Sequence, residues 1–133
     1  MTVGIDTNVL LRLIINDDEE QRAAALAFGK TLSEAEPAFV TIVALVECDW
    51  ALRTTYGYDR ARRTDAIATL IRLRHVTVEG HNVILQALSD ARKRNADFAD
   101  AIIARLSAAN GCDHVVTFDK PAAKRLPTMT LLA

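Results

Sequence analysis

The chain has 133 residues, of which 50% are hydrophobic and 25% charged, with a formal net charge of -1. That composition excludes a disordered chain and is enough for one domain with its own core. The near-neutral balance, with a pI of about 6.3, excludes a polyanion binder acting through bulk charge, so any nucleic-acid contact must come from a local basic patch.

Cys48 and Cys112 show neither zinc nor disulfide-framework spacing, and read as buried thiols in a reducing compartment. The amino end lacks a basic n-region and is polar by Asp6, so no signal peptide is expected. No apolar run approaches the length of a bilayer span. A cytoplasmic protein with no membrane contact is the expectation.

In chain order, Val3-Gly4-Ile5 is a short apolar run that ends in Asp6, Thr7 and Asn8. It reads as a buried strand of a parallel sheet. Asp6 then lies at the carboxyl end of a strand, where open α/β sheets bind ligands. The alternative is that Asp6 or Asn8 simply caps the helix that follows. That helix starts near Asn8 and stops near Asn16-Asp17-Asp18. A second runs from Glu19 to about Leu32. Pro37 leads into the strand Ala38-Phe39-Val40, and Thr41 is the N-cap of a helix from Ile42 to Thr55, closed by Gly57.

Asp59 caps the next helix, which carries Ile67, Leu70 and Ile71 at helical spacing. Val76-Thr77-Val78 is a third strand. The helix from Val83 to Lys93 ends in the basic run Arg92-Lys93-Arg94, and another extends from Asp97 to Asn110. Val115-Val116-Thr117 is a fourth strand, followed by a short helix from Lys120 to Leu126 and an edge strand from Met129 to Leu132. Strands alternating with helices predict a parallel, three-layer α/β/α sheet in one domain, residues 1–133.

Four places put a carboxylate where an apolar element would otherwise continue. Asp6 follows the first strand. Glu47 follows five apolar residues, Ile42 to Val46, where an ionised carboxylate is costly unless paired or metal-bound; alternatively it reaches solvent beside Asp49. Asp97 and Asp100 share a face at a helix start, where both also suit the helix dipole. Asp119 follows the fourth strand, where it could equally cap the next helix.

Together these stretches resemble the PIN domain: Gly4-Ile5-Asp6-Thr7-Asn8-Val9-Leu10, Leu45-Val46-Glu47, Asp97-Phe98-Ala99-Asp100-Ala101-Ile102-Ile103-Ala104 and Thr117-Phe118-Asp119-Lys120. The compact size resembles the VapC-like toxins of bacterial type II toxin–antitoxin pairs. The resemblance implies strand order 3-2-1-4 with the fifth strand at the edge, a pocket binding Mg²⁺ or Mn²⁺, and endoribonuclease activity. By that resemblance Asp6, Glu47 and Asp100 are the primary acids. Asp119, also catalytic, and the additional Asp97 complete the metal pocket, with Thr7, Asn8 and Thr117 as polar support. A cognate antitoxin and a homodimer are implied as well.

Physical chemistry runs the same way. Two unit charges about 4 Å apart repel by roughly 4 kcal/mol at an effective dielectric of 20, so converging carboxylates must hold protons or a cation. All-oxygen ligands select hard cations such as Mg²⁺. Water activated by such an ion can hydrolyse a phosphodiester. RNA then needs a basic rim. Arg92, Lys93 and Arg94 are the first candidates, followed by Arg53, Arg60, Arg62, Arg63, Lys120 and Lys124; each is individually more at home as a solvated helix-end cation. With aromatics at 5%, stacking platforms are not expected.

His75, His81 and His114 lack metal-ligand spacing, and Cys48 has no histidine nearby in sequence to make it a nucleophile. Two alternatives remain. A haloacid-dehalogenase-like phosphotransferase would use Asp6 as nucleophile, but wants a second Asp where Asn8 stands. A non-catalytic PIN-like RNA-binding module would have no use for the full acid set.

Overall fold

In the computed structural model, which describes residues 1–133, short strands alternate with helices as the apolar periodicity predicts. The elements are β1 (Val3–Gly4), α1 (Thr7–Ile14), α2 (Glu19–Thr31), β2 (Ala38–Val40), α3 (Ile42–Thr54), α4 (Arg60–Leu70), β3 (Val76–Val78), α5 (His81–Arg94), α6 (Phe98–Ala109), β4 (Val115–Thr117), α7 (Lys120–Arg125) and β5 (Met129–Leu131). Helix starts fall on short oxygen-bearing side chains. Asp18, Thr41, Asp59 and Asp119 each accept a bond from the backbone N–H three residues on. A cap of this kind is worth about 1 kcal/mol. At the end of α5, Asn95 takes the left-handed conformation, φ 55°, which Asn tolerates and which turns the chain into α6.

All strand pairs are parallel. β1 pairs with β2 in the register Val3 to Ala38, and β2 with β3 in the register Phe39 to Thr77. β4 pairs with β5, Val115 opposite Met129, as a separate two-stranded sheet. The expected order 3-2-1-4 is therefore met over 3-2-1, but no ladder joins β1 to β4. β1 has only two residues, its neighbourhood bonds to β2 through Val3 N–H to Pro37 O and Ile5 N–H to Phe39 O, and β4 turns its bonds to β5.

α3 is the hub. Ala44, Leu45, Cys48, Asp49 and Leu52 are buried along one face at helical spacing, against α1, α4 and α6. This spacing decides between the two readings of Glu47, and places its neighbour Asp49 inside. Glu47 falls off the buried stripe and is exposed, while Asp49 is 7% exposed and lies inside. Leu10, Leu45, Leu52, Ile67 and Ile84 fill the centre of a continuous buried cluster. No helix is long and apolar enough to cross a membrane.

Leu45→Ala should lower unfolding free energy by about 2–5 kcal/mol through lost burial and a residual cavity. Leu26→Ala, at a side chain 42% exposed, should stay within about 0.5 kcal/mol of the parent. Urea titration checks both; equal effects would contradict the assigned core.

Candidate active site

Asp6 follows β1 and Ile5 and occupies the N-cap position of α1, yet its carboxylate makes no capping bond. It stays exposed and free to bind something else. The next residue ties α1 to α3: the Thr7 hydroxyl donates to Glu47 Oε1 at 3.3 Å. Asn8 lines a mostly apolar hollow between β1, α1 and α2.

Asp97 repeats the arrangement at the start of α6, an N-cap residue whose side chain caps nothing. Asp100 lies in the first turn of the same helix, half-buried. Burial pushes its carboxyl above the ordinary carboxylate range. Repulsion from Asp97 and Asp119 adds to the rise, and Arg60 opposes it. Asp119 does cap α7, accepting from Ala122 N–H at 3.0 Å, and its own N–H donates to the Thr117 hydroxyl at 3.0 Å. The capping alternative thus describes Asp119 but neither Asp6 nor Asp97.

Asp97, Asp100 and Asp119 line one hollow of about 380 Å³ together with Arg53, Arg60 and Arg125. None of the chain's ion pairs joins one of these arginines to one of these acids. Arg60 instead donates to Asn95 O and Oδ1 at 2.7 and 2.9 Å, and its buried Nε has no partner. Asp6 and Glu47 do not line this hollow. Glu47 lies at the α1–α3 contact through its bond with Thr7, the residue that follows Asp6. No three His, Cys, Asp or Glu side chains stand close enough together to enclose a metal ion by themselves.

The hollow's donor chemistry nonetheless fits a hard divalent cation. Its acids are oxygen ligands, Mg²⁺ takes only one or two carboxylates directly, and a cation would relieve the crowding that raises Asp100.

Sequence reading missed what positions Asp97. Buried Arg63 donates from Nε to Asp49 Oδ1 at 3.1 Å and from Nη1 to Tyr58 O at 2.8 Å, and its Nη2 stands 4.0 Å from Asp97 Oδ1. Burial raises the Asp49 carboxyl pKa, Arg63 pulls it back, and Asp97 raises it again. At 6% exposure, Arg63 is therefore no RNA contact. The buried stripe on α3 was the available signal for Asp49. Among the other basic candidates, Arg92 pairs with Asp65 at 3.1 Å and Arg94 with Asp90 at 3.6 Å. Lys93 lines a hollow between α4 and α5, and Arg62 lies over the Tyr58 ring at 3.8 Å. Lys120 and Lys124 are exposed on α7. Arg125, which the sequence reading did not single out, lines the acid hollow. Burial pushes the Cys48 thiol up to about 12, so it is no nucleophile at neutral pH; Cys112, expected to be buried, is exposed.

The family model described as PIN domain matches residues 3–126. No curated protein matches the chain.

Two outcomes follow from this geometry. Arg63→Met should destabilise by about 3–5 kcal/mol, because it strands Asp49 buried and unpaired, and adding Asp49→Leu should recover most of the loss. Denaturant titration of both variants is the check; no recovery would mean that the Arg63–Asp49 pair is not the cause.

The second outcome concerns pH. A raised Asp100 pKa means that the folded state holds its proton more tightly than the unfolded chain. This stabilisation is complete below the ordinary value of 3.8 and is lost as pH rises through the folded value. Asp100→Asn should therefore melt higher than the parent at pH 7 without divalent metal. A lower melting temperature would contradict the assigned crowding.

Proposed function

From the premise that the chain belongs to the PIN domain family, we propose that it is a metal-dependent endoribonuclease that hydrolyses RNA phosphodiester bonds. PIN domains are generally nucleases. The observation that carries the reading is the half-buried Asp100, crowded by Asp97 and Asp119 in one hollow. Such crowding destabilises an empty site and favours a bound cation.

Asp97, Asp100 and Asp119 are assigned to hold Mg²⁺ or Mn²⁺ on geometry, Asp6 and Glu47 on the order of the motifs. Such an ion, when bound, neutralises charge on the phosphate and makes a water more acidic. Asp6, Glu47, Asp100 and Asp119 are the catalytic acids; the ion takes only one or two carboxylates directly, and an acid of the set left outside those contacts accepts the proton of the attacking water. Thr7 orients Glu47 through its hydroxyl, and Thr117 holds the Asp119 backbone. Asn8 keeps a supporting role at the start of α1. For RNA, Arg53, Arg60 and Arg125 are better placed than Arg92, Lys93 and Arg94, because they line the acid hollow.

The same proposal makes the protein the toxin of a type II toxin–antitoxin pair. It works in the cytoplasm, forms a homodimer, and is blocked by its cognate antitoxin. Small size and the motif order support this. The family match gives the haloacid-dehalogenase alternative no support.

Incubation with total RNA and Mg²⁺ or Mn²⁺ should yield fragments, with cleavage falling at least about 100-fold in Asp100→Asn and ceasing in EDTA. Either ion should also raise the parent's melting temperature by mass action, an increase that Asp100→Asn should lose. Cleavage surviving both EDTA and Asp100→Asn would sink the proposal. For the toxin role, expression should arrest growth and Asp100→Asn should not.

A further inference from the structure

Asp49 is a buried acid that the proposed chemistry does not use. It lies on α3, is 7% exposed and does not line the hollow of Asp97, Asp100 and Asp119. Its hydrogen bond comes from Arg63, whose Nε donates to Oδ1 at 3.1 Å. A buried carboxylate with no role in chemistry is a cost, unless its partner does something that depends on it.

That partner reaches toward the site. Nε and Nη1 of Arg63 are both committed away from the hollow, to Asp49 and to Tyr58 O. The guanidinium is planar and rigid, so these two bonds fix the place of the third nitrogen. Nη2 stands 4.0 Å from Asp97 Oδ1, beyond the roughly 2.7–3.2 Å of a hydrogen bond. Asp97 is equally uncommitted. Its side chain caps nothing at the start of α6, and it lines the hollow. Two opposite charges thus face each other across a gap that neither bridges.

The bond to Asp49 holds that gap open. Without the Asp49 charge, a guanidinium only 6% exposed would lack its counter-ion, which is costly in the interior. Asp97 is the other carboxylate within 4.0 Å of it. Closing the gap would form a charge-assisted bond and tie up an acid that the hollow now offers to a cation.

We infer that Asp49 is a positioning residue: by drawing Arg63 into the core, it keeps Asp97 free for a divalent cation in the hollow. The consequence for the cation rests on the metal-dependent reading, whereas the gap itself is tested without metal. A pair that only braced α3 against α4 would leave cation binding unchanged.

Mn²⁺ binding is read from the loss of the free-ion electron paramagnetic resonance signal, with neither RNA nor turnover. Asp49→Asn keeps the size of the side chain and should weaken binding by about tenfold, as partners behind a metal ligand do. Asp97→Asn should weaken it too, and adding Asp49→Asn to that variant should cost little more, because the effect runs through Asp97. Arg63→Met combined with Asp49→Leu removes the guanidinium and its partner together, and should bind Mn²⁺ at least as tightly as the parent. In metal-free crystals of Asp49→Asn, Arg63 Nη2 should lie within about 3.2 Å of Asp97.

Parent-like affinity in Asp49→Asn, a full further loss in the Asp97→Asn background, or an unclosed gap would overturn the proposal and leave the nuclease reading intact. Weaker binding in Arg63→Met with Asp49→Leu would do the same, even where Asp49→Asn is too unstable to measure. A gap that closes in Asp49→Asn, in a protein whose parent binds no Mn²⁺, would instead defeat the metal-dependent reading and leave the hold of Asp49 on Arg63 standing.

Discussion

A buried guanidinium sets the geometry of the acidic end of this molecule. Arg63 reaches Asp49 on α3, the Tyr58 carbonyl before α4, and Asp97 at the start of α6. A charge so far from water is tolerable only when such partners surround it. The arrangement joins the hub of the core to the helix that carries Asp97 and Asp100. The hollow is thus an extension of the packing around α3, where moving one helix displaces an acid.

Around that fixed point, charge is distributed unevenly. Asp90 is satisfied by the bidentate fork of Arg105 at 2.7 and 2.8 Å, and Arg12 by Asp17 and Tyr56. These groups brace helices against one another. In the hollow, by contrast, three acids and three arginines from four helices and the turns leading into them stay apart. Opposite charges that remain unpaired in a shared cavity keep their capacity for outside ligands. This contrast separates the site from the bracing networks better than any count of charged residues.

Most elements were legible from local chemistry. Thr41, Asp59 and Asp119 cap the helices that their positions predict, and Asn95 ends α5 in the left-handed region. The parallel pairing of β1, β2 and β3 followed from apolar runs separated by helices. Two things were hidden. Glu47 drew attention because five apolar residues precede it, yet helix phase, not local composition, decides burial, and phase chose Asp49. The sheet's closure also lay beyond sequence, since a two-residue strand offers too few hydrogen bonds to fix its second neighbour. Asp97, Asp100 and Asp119, from stretches apart in the chain, line one hollow.

The missing ladder leaves β1 and β4 each with a free edge, and free edges template pairing with other chains. Here both edges are too brief to recruit another molecule, and an anionic side chain follows each within two residues, Asp6 after β1 and Asp119 after β4. Charges at such positions disfavour edge-to-edge pairing of strands. Replacing both by neutral side chains would weaken that protection against aggregation.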